Sequence, residues 1–353
     1  MAKIRALIID DSAENRLLMT EILSRYDDIE VVGTAADAYI AREKIKQLSP
    51  DVLTLDIEMP KMTGLQFLQN LMRLRPIPVI MVSRLTARGA PAILEALDLG
   101  AVDFICKPQT NPNRETVKDT ISDDKFRQFT EDLVTKVRMA SLAKIRPFEI
   151  NNIAKPVAIE NTAFQRVIAI GASTGGTEAI RELLTSVPEN CPPILITQHI
   201  PRVFSRSFAE RLNQQLAMKV VAVQEGMVIQ PGCVYLAPGD DHLTIIKSGS
   251  RMVCQLGQGE KVNRYRTAVD VMFDSICSAY GSQVIAVLLT GMGEDGAKGM
   301  LKLKQAGAIT YAQDKATSVV WGMPQAAYNM GAVDELLSLA EIATKMINAA
   351  QKK

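Results

Sequence analysis

Histidine is nearly absent from this chain of 353 residues, which has only His199 and His242. Chemistry that needs an imidazole base must use one of those two positions. Cysteine is sparse as well. Cys106, Cys191, Cys233, Cys254 and Cys277 stand far apart, form no C-x-x-C pair and are odd in number. That pattern argues against a disulfide framework or a zinc site, and a reducing cytoplasm is the simplest setting. No apolar run approaches the ~20 residues needed to span a bilayer. The opening stretch, Met-Ala-Lys-Ile-Arg-Ala-Leu-Ile-Ile-Asp-Asp, meets acids after one short strand's worth of apolar residues, unlike a signal peptide. The formal net charge is +1, so nothing in the composition asks for nucleic acid or an anionic membrane as partner.

The length suggests two domains, and 47% hydrophobic with 22% charged residues is enough apolar material for two cores. Residues 1–110 alternate strand-like runs (Ile4–Ile9, Val31–Gly33, Val52–Leu55, Val79–Val82, Asp103–Cys106) with amphipathic helical stretches such as Asn15–Ser24 and Ala38–Gln47. This βαβ rhythm implies a doubly wound parallel sheet, whose sites form at the carboxyl ends of strands. Those ends carry Asp10 and Asp11, Asp56, Ser83, and Lys107 before Pro108. Three carboxylates, a hydroxyl and an ammonium on one edge suit Mg²⁺, and an aspartate there could accept a phosphoryl group. Any one of these acids alone could simply cap a helix.

This half closely resembles a response-regulator receiver domain in Asp10-Asp11-Ser12, in Asp56 within Leu55-Asp56-Ile57-Glu58-Met59-Pro60, and in Ser83, Phe104 and Lys107-Pro108. The resemblance implies phosphorylation of Asp56 by a histidine kinase. It also implies Mg²⁺ held by Asp10, Asp11, Asp56 and the Glu58 backbone carbonyl, with Ser83 and Phe104 at switch positions. Thr63 departs from the family, which often has aspartate before Gly64. Pro108–Asp123 is polar and turn-rich. Residues 124–143 are expected to form the last receiver helix, with Phe126, Phe129, Leu133, Val134 and Val137 on one face. Residues 144–164 contain Pro147 and Pro156, show no clear period, and read as an interdomain linker.

In the second half, the apolar run Arg166–Ile170 leads into Gly171-Ala172-Ser173-Thr174-Gly175 and then a helical stretch, Thr177–Leu184. This fits G-x-S-x-G, a strand-to-helix turn that exposes a serine hydroxyl near a helix N-terminus. A phosphate loop or an ordinary tight turn would also satisfy the pattern. His199 follows the strand Pro193–Gln198 and so shares the sheet edge with Ser173, ahead of the helical stretch Phe204–Leu212. His242 lies in a turn between Cys233–Ala237 and Leu243–Lys247, runs that, with Arg251–Gln255, look like inserted antiparallel strands. His199 is therefore the better base. The strand Val284–Leu289 opens into Thr290-Gly291-Met292-Gly293-Glu294-Asp295-Gly296, where either Glu294 or Asp295 could orient the imidazole. Asp295 could instead only cap the next helix, and the Met292 amide could help form an oxyanion hole. The order Ser173, His199, Asp295 differs from the Ser, Asp, His order of α/β-hydrolases. Ser173 also replaces the middle glycine that a dinucleotide fold would need.

With these residues placed, 165–345 closely resembles the catalytic domain of the chemotaxis protein-glutamate methylesterase (CheB) family. The resemblance rests on Gly171–Gly176, Gln198-His199-Ile200-Pro201, Ser207–Asn213, Leu236–Asp240, Val269-Asp270-Val271, Thr290–Gly293 with Asp295-Gly296, Ala312-Gln313-Asp314 and Gly322-Met323-Pro324. It implies nucleophile, base and acid roles for Ser173, His199 and Asp295, with Thr174 and the Met292 amide near the oxyanion. It implies glutamate γ-methyl esters on chemoreceptors as substrate, methanol as product, and glutamine deamidation as a second activity. No metal is expected in this half. Unphosphorylated, the receiver is expected to cover the cleft. Thr267-Ala268 (the family often has Pro-Ser), Lys315 (often an acid) and Trp321 (often tyrosine) depart from the family and are expected to flank the cleft. A non-catalytic, anion-binding output is the first rival. A DNA-binding output is the second, but neither a basic face nor a helix-turn-helix is visible. The expectation is an α/β protein of two doubly wound domains. A flavodoxin-like receiver would occupy 1–143, a linker 144–164, and a catalytic domain 165–353 with a mostly parallel sheet and a small antiparallel insertion.

Overall fold

A computed structural model describes residues 2–84, 89–108, 124–143, 145 and 164–351. The chain divides into two compact units, Met1–Ile150 and Asn151–Lys353. The connection at 109–123 and nearly all of the 144–164 linker lie outside the described residues. No helix among the described residues is long and apolar enough to cross a membrane.

The first unit alternates β1 (Ile4–Ile9), α1 (Ala13–Leu23), β2 (Ile29–Ala35), α2 (Ala38–Leu48), β3 (Val52–Asp56), α3 (Gly64–Leu74), β4 (Val79–Arg84), α4 (Ala90–Asp98), β5 (Asp103–Lys107) and α5 (Asp124–Ser141). The strands pair in parallel in the order β2-β1-β3-β4-β5. In this flavodoxin-like order the chain steps to opposite sides of β1, opening a crevice between the ends of β1 and β3. Helices cover both faces, so β3 is buried along its whole length, including the polar Thr54 and Asp56. Local signals start the helices. Ser12 caps α1, Asp37 accepts two amides at the start of α2, and Thr63 forms a capping box with Gln66 on α3. Thr63 thus does a cap's work where the family often has aspartate. The apolar face of α5 expected from Phe126, Phe129, Leu133, Val134 and Val137 is buried in full.

The second unit begins with β6 (Val167–Ala172), α6 (Gly176–Thr185), β7 (Ile194–Gln198), α7 (Arg202–Gln215), β8 (Lys219–Ala222) and β9 (Cys233–Leu236). It continues with β10 (His242–Ser248), β11 (Arg251–Gly257), α8 (Val269–Tyr280), β12 (Val284–Leu288), α9 (Ala297–Gln305), β13 (Ile309–Gln313), α10 (Met323–Asn329), β14 (Glu335–Leu337) and α11 (Leu339–Gln351). Seven strands pair in parallel in the order β14-β13-β12-β6-β7-β9-β8. Only β10 and β11 form the antiparallel insertion. The reading of Cys233–Ala237 as part of that insertion is corrected: β9 lies inside the main sheet between β7 and β8. All four of its residues are buried, as a central parallel strand requires. Its shortness and the turn at Pro238-Gly239-Asp240 had mimicked a hairpin arm.

Candidate active site

Three neighbouring strands carry the chemistry. β6 is the first strand of its unit, with β7 on one side and β12 on the other. The order of strand addition reverses at β6 while every strand stays parallel, so the carboxyl ends of these strands border one crevice. β6 runs out into Ser173, β7 into His199, and β12 into the loop that holds Asp295. The edge is kept level by backbone bonds: His199 N–H donates to Ala172 O (3.2 Å), Leu289 N–H to Gly171 O (2.9 Å), and Ser173 N–H to Thr290 O (3.1 Å).

The turn after β6 depends on two glycines. Gly175 has φ +74° at the start of α6, a left-handed conformation that glycine adopts without strain. Gly291 lies so close to the serine that a Cβ there would stand 2.8 Å from Ser173 Cβ and 2.3 Å from Met323 Sδ. Thr290 fastens the two loops together. Its hydroxyl accepts Val320 N–H (2.9 Å) and lies 3.0 Å from the Thr174 carbonyl.

Within this frame His199 Nδ1 lies 3.1 Å from Ser173 Oγ, and His199 Nε2 lies 2.8 Å from Asp295 Oδ2. The His199 and Asp295 side chains are 2% and 1% exposed, so water does not compete for that bond. Nε2 faces an ionised carboxylate and must carry the proton, which leaves the Nδ1 lone pair for the serine hydroxyl. Asp295 also accepts Val269 N–H (2.7 Å) on Oδ2 and Asp270 N–H (3.1 Å) on Oδ1. Burial works against its ionisation. The hydrogen bonds from His199, Asn263 and the Val269 amide outweigh that and hold the carboxyl below the usual carboxylate range. Asp295 does cap a helix, as the alternative reading allowed, but the helix is α8, through its first two amides, and not α9, which follows it in sequence. Glu294, the other candidate acid, is 61% exposed, with its side chain 3.9 Å from Lys298. His242 is spent on backbone: Nε2 meets Glu260 O (2.8 Å), and Nδ1 accepts Ala268 N–H (3.3 Å).

Sequence reasoning missed a hairpin beside this network. Val262 and Tyr265 exchange both backbone hydrogen bonds (3.0 and 2.9 Å), and the residues between them, Asn263 and Arg264, have φ of 50° and 74°. Asn263 Nδ2 donates to Asp295 Oδ1 and to Asp270 Oδ2, each at 2.9 Å. The Tyr265 ring stacks on the His199 ring with centroids 3.7 Å apart and planes 11° from parallel. The sequence signal was faint: an Asn in a two-residue turn, without the usual glycine beside it.

Around the serine, Thr174 is buried and gives its carbonyl to Thr290. The Ser173 amide is committed to Thr290 O, whereas the Met292 amide has no acceptor among the described residues. Trp321 bridges to Gly291, and its indole N–H donates to Gln313 O (2.9 Å). Lys315 lies 6.0 Å over the indole ring. Trp321 thus stands beside the Gly291 loop, with Lys315 against its ring. Thr267 and Ala268 immediately precede Val269, whose amide holds Asp295. Both are buried, and the Thr267 hydroxyl donates to the Pro238 carbonyl (2.6 Å) and meets the Asp241 carbonyl. They shape the entry to α8.

In the first unit, Asp10, Asp11 and Asp56 bring one oxygen each to within 4.8 Å of one another. Lys107 Nζ lies 2.8 Å from Asp10 Oδ2 and 2.6 Å from Asp56 Oδ2. Three carboxylates, two of them buried, face a single ammonium, and this excess of negative oxygen ligands fits a hard divalent cation. Burial pushes the Asp56 carboxyl up to about 6, against the pull of Lys107. The Glu58 amide approaches Asp56 Oδ1 at 3.5 Å, so its peptide borders the cluster. Ser83 is buried near the end of β4. Phe104 is buried on β5 beneath Lys136, whose ammonium lies 5.2 Å from the ring centroid.

Comparison with known proteins agrees with both halves. Residues 168–346 match the CheB methylesterase family and residues 6–117 the response regulator receiver domain. A protein-glutamate methylesterase/protein-glutamine glutaminase 1 from Xanthomonas campestris pv. campestris is 50% identical over 355 residues, covering 98% of this chain and 96% of its own. A protein-glutamate methylesterase/protein-glutamine glutaminase 2 from Saccharophagus degradans is 48% identical over 358 residues and covers 100% of both chains. The crystal structure of the Thermotoga maritima CheB methylesterase catalytic domain is 38% identical with a TM-score of 0.51, covering 52% of this chain and 98% of that one. With such identity along its whole length, the chain belongs to the CheB family of protein-glutamate methylesterase/protein-glutamine glutaminases, which here joins a methylesterase domain to a response regulator receiver domain.

Proposed function

We propose that this chain is a phosphorylation-activated serine esterase that removes γ-methyl groups from glutamates on the cytoplasmic region of chemoreceptors and deamidates receptor glutamines, resetting them during chemotactic adaptation. The observation that carries the reading is the hydrogen-bonded series Ser173, His199, Asp295 at the ends of three adjacent strands. His199 Nδ1 takes the hydroxyl proton as Ser173 Oγ attacks the ester carbonyl, and Asp295 stabilises the resulting imidazolium through Nε2. The oxyanion is met by the Met292 amide, with Thr174 beside it. The imidazolium returns its proton to the departing methanol. Water then gives a proton to His199 and attacks the acyl-serine; the C–Oγ bond breaks, His199 returns the proton to Ser173 Oγ, and the glutamate is freed. A glutamine side chain follows the same route and releases ammonia. No step needs a metal in this half.

Regulation comes from the receiver. Asp56 accepts a phosphoryl group that originates on a chemotaxis histidine kinase, and Lys107 pairs with the added charge. Asp10, Asp11, Asp56 and the Glu58 carbonyl would hold Mg²⁺, which neutralises phosphate charge during transfer. Ser83 and Phe104 are the switch positions that report it. An activation of ~100-fold needs only ~2.7 kcal/mol of differential stabilisation of the active arrangement. The test is mass spectrometry of a methylated receptor signalling fragment incubated with the full chain. Loss of methyl groups and conversion of glutamine to glutamate, both faster with a small-molecule phosphodonor and Mg²⁺, are expected. An unchanged fragment under every condition would refute the reading.

A further inference from the structure

We propose that the hairpin Val262–Tyr265 is a positioning clamp for the catalytic pair, in which Tyr265 holds the His199 ring and Asn263 holds the Asp295 carboxylate. The proposal rests on the reading of Ser173 as nucleophile and His199 as base. The two parts act in different ways. The Tyr265 ring lies face-on to the imidazole at 3.7 Å, so it fixes the plane of the ring while leaving both nitrogens to their in-plane partners, Ser173 and Asp295. The electron-rich face of an aromatic ring attracts a cation more than a neutral group. His199 gains a positive charge when it takes the serine proton. The stack therefore strengthens as the reaction proceeds, and an interaction of that kind raises kcat rather than substrate binding.

Asn263 deals with a different problem. Asp270 and Asp295 are both buried and close enough for the charge of Asp295 to help raise the carboxyl of Asp270, after burial itself. The two hydrogens of Asn263 Nδ2 bridge them at 2.9 Å each. On the Asp295 side this occupies Oδ1 and keeps the carboxylate turned so that Oδ2 faces His199. The hairpin is narrow because Val262 and Tyr265 close both backbone bonds, so the two side chains are delivered by one rigid turn. Asn263 tolerates the positive φ that such a turn requires.

The test measures kcat and KM for methanol release by the full-length chain, comparing wild type with Tyr265→Leu, Tyr265→Phe, Asn263→Ala and Ser173→Ala. Tyr265→Leu is expected to lower kcat about tenfold with KM little changed, and Tyr265→Phe, which restores an aromatic face, to recover most of that loss. Asn263→Ala is expected to lower kcat about 10–100-fold, because Asp295 Oδ1 keeps only the longer Asp270 amide bond and the charge of Asp270 is no longer bridged. Asn263 and Tyr265 are only half-buried, so neither change empties the core, and a melting curve checks each fold. If Tyr265→Leu does not fold, Asn263→Ala carries the test. A kcat within twofold of wild type in either folded variant overturns the clamp, as does a loss confined to KM or a Phe variant no better than Leu. Ser173→Ala separates this from failure of the underlying reading: activity surviving there removes the serine mechanism itself, and the clamp with it.

Discussion

Replacing Asp295 by asparagine changes one atom and should trap the wrong tautomer of the base. The carboxylate accepts four N–H groups: His199 Nε2 and Val269 N on Oδ2, Asn263 Nδ2 and Asp270 N on Oδ1. An amide has a single oxygen, so its nitrogen must face donors on one side. Turned toward the Oδ1 position it would oppose both Asn263 and the Asp270 amide. Turned toward Oδ2 it opposes only the Val269 amide and can donate to His199, provided the ring gives up its proton there. The second arrangement has fewer conflicts. It moves the imidazole proton onto Nδ1, the nitrogen 3.1 Å from Ser173 Oγ, and abolishes the base. In a serine triad that change lowers kcat by about 10⁴, close to 5.5 kcal/mol. The stranded Val269 N–H costs a further ~1–3 kcal/mol of stability, seen as a lower Tm. The Asp295 carboxyl is held below its unfolded value. Its stabilising contribution is therefore present above the unfolded pKa and is lost as pH falls through the folded one. The stability gap between wild type and variant should narrow below about pH 4. Methanol release at saturating methylated receptor membranes measures kcat directly. A variant with kcat within tenfold of wild type would refute the tautomer argument.

Gly291→Ala should fold but lose most activity, because the new Cβ would stand 2.8 Å from Ser173 Cβ and displace the nucleophile. A normal rate would show that the two loops yield more easily than their packing implies. Asp56→Asn should bring the ratio of rates with and without phosphodonor down to about one, against the ~100-fold considered above for the wild type; a persisting ratio would place the switch elsewhere. Chelation of divalent cations should abolish the same stimulation while unstimulated methanol release continues. Loss of unstimulated release would instead point to a metal in the catalytic half.

Much of this site could be read from the chain because parallel α/β sheets place function at strand ends. Asp10, Asp56, Lys107, Ser173 and His199 each stand at or just beyond the end of an apolar run, and the run announces the strand. Asp295 was harder. It sits beside Glu294 in one flexible-looking loop, and only burial against α8 separates them. Which imidazole nitrogen meets the serine is a matter of ring orientation, which no local pattern encodes. The 262–265 turn escaped because no strand pattern flanks it and its effect lies in a stack and a bridge with residues far away in sequence. β9 was misplaced for the opposite reason: four apolar residues next to a Pro-Gly turn satisfy the signature of a hairpin arm and of a central parallel strand equally well. What Thr267 and Ala268 hold in place was not legible either, because their hydrogen bonds run to Pro238, Asp241 and His242, far away in sequence.

The central claim is that Ser173, activated by His199, performs the ester cleavage. Methanol release from methylated chemoreceptor membranes, compared between wild type and Ser173→Ala with and without phosphodonor and Mg²⁺, tests it most directly. The expected result is release by wild type alone, enhanced by the phosphodonor, from two proteins with matching melting curves. Release by a folded Ser173→Ala variant at a rate near wild type would contradict it.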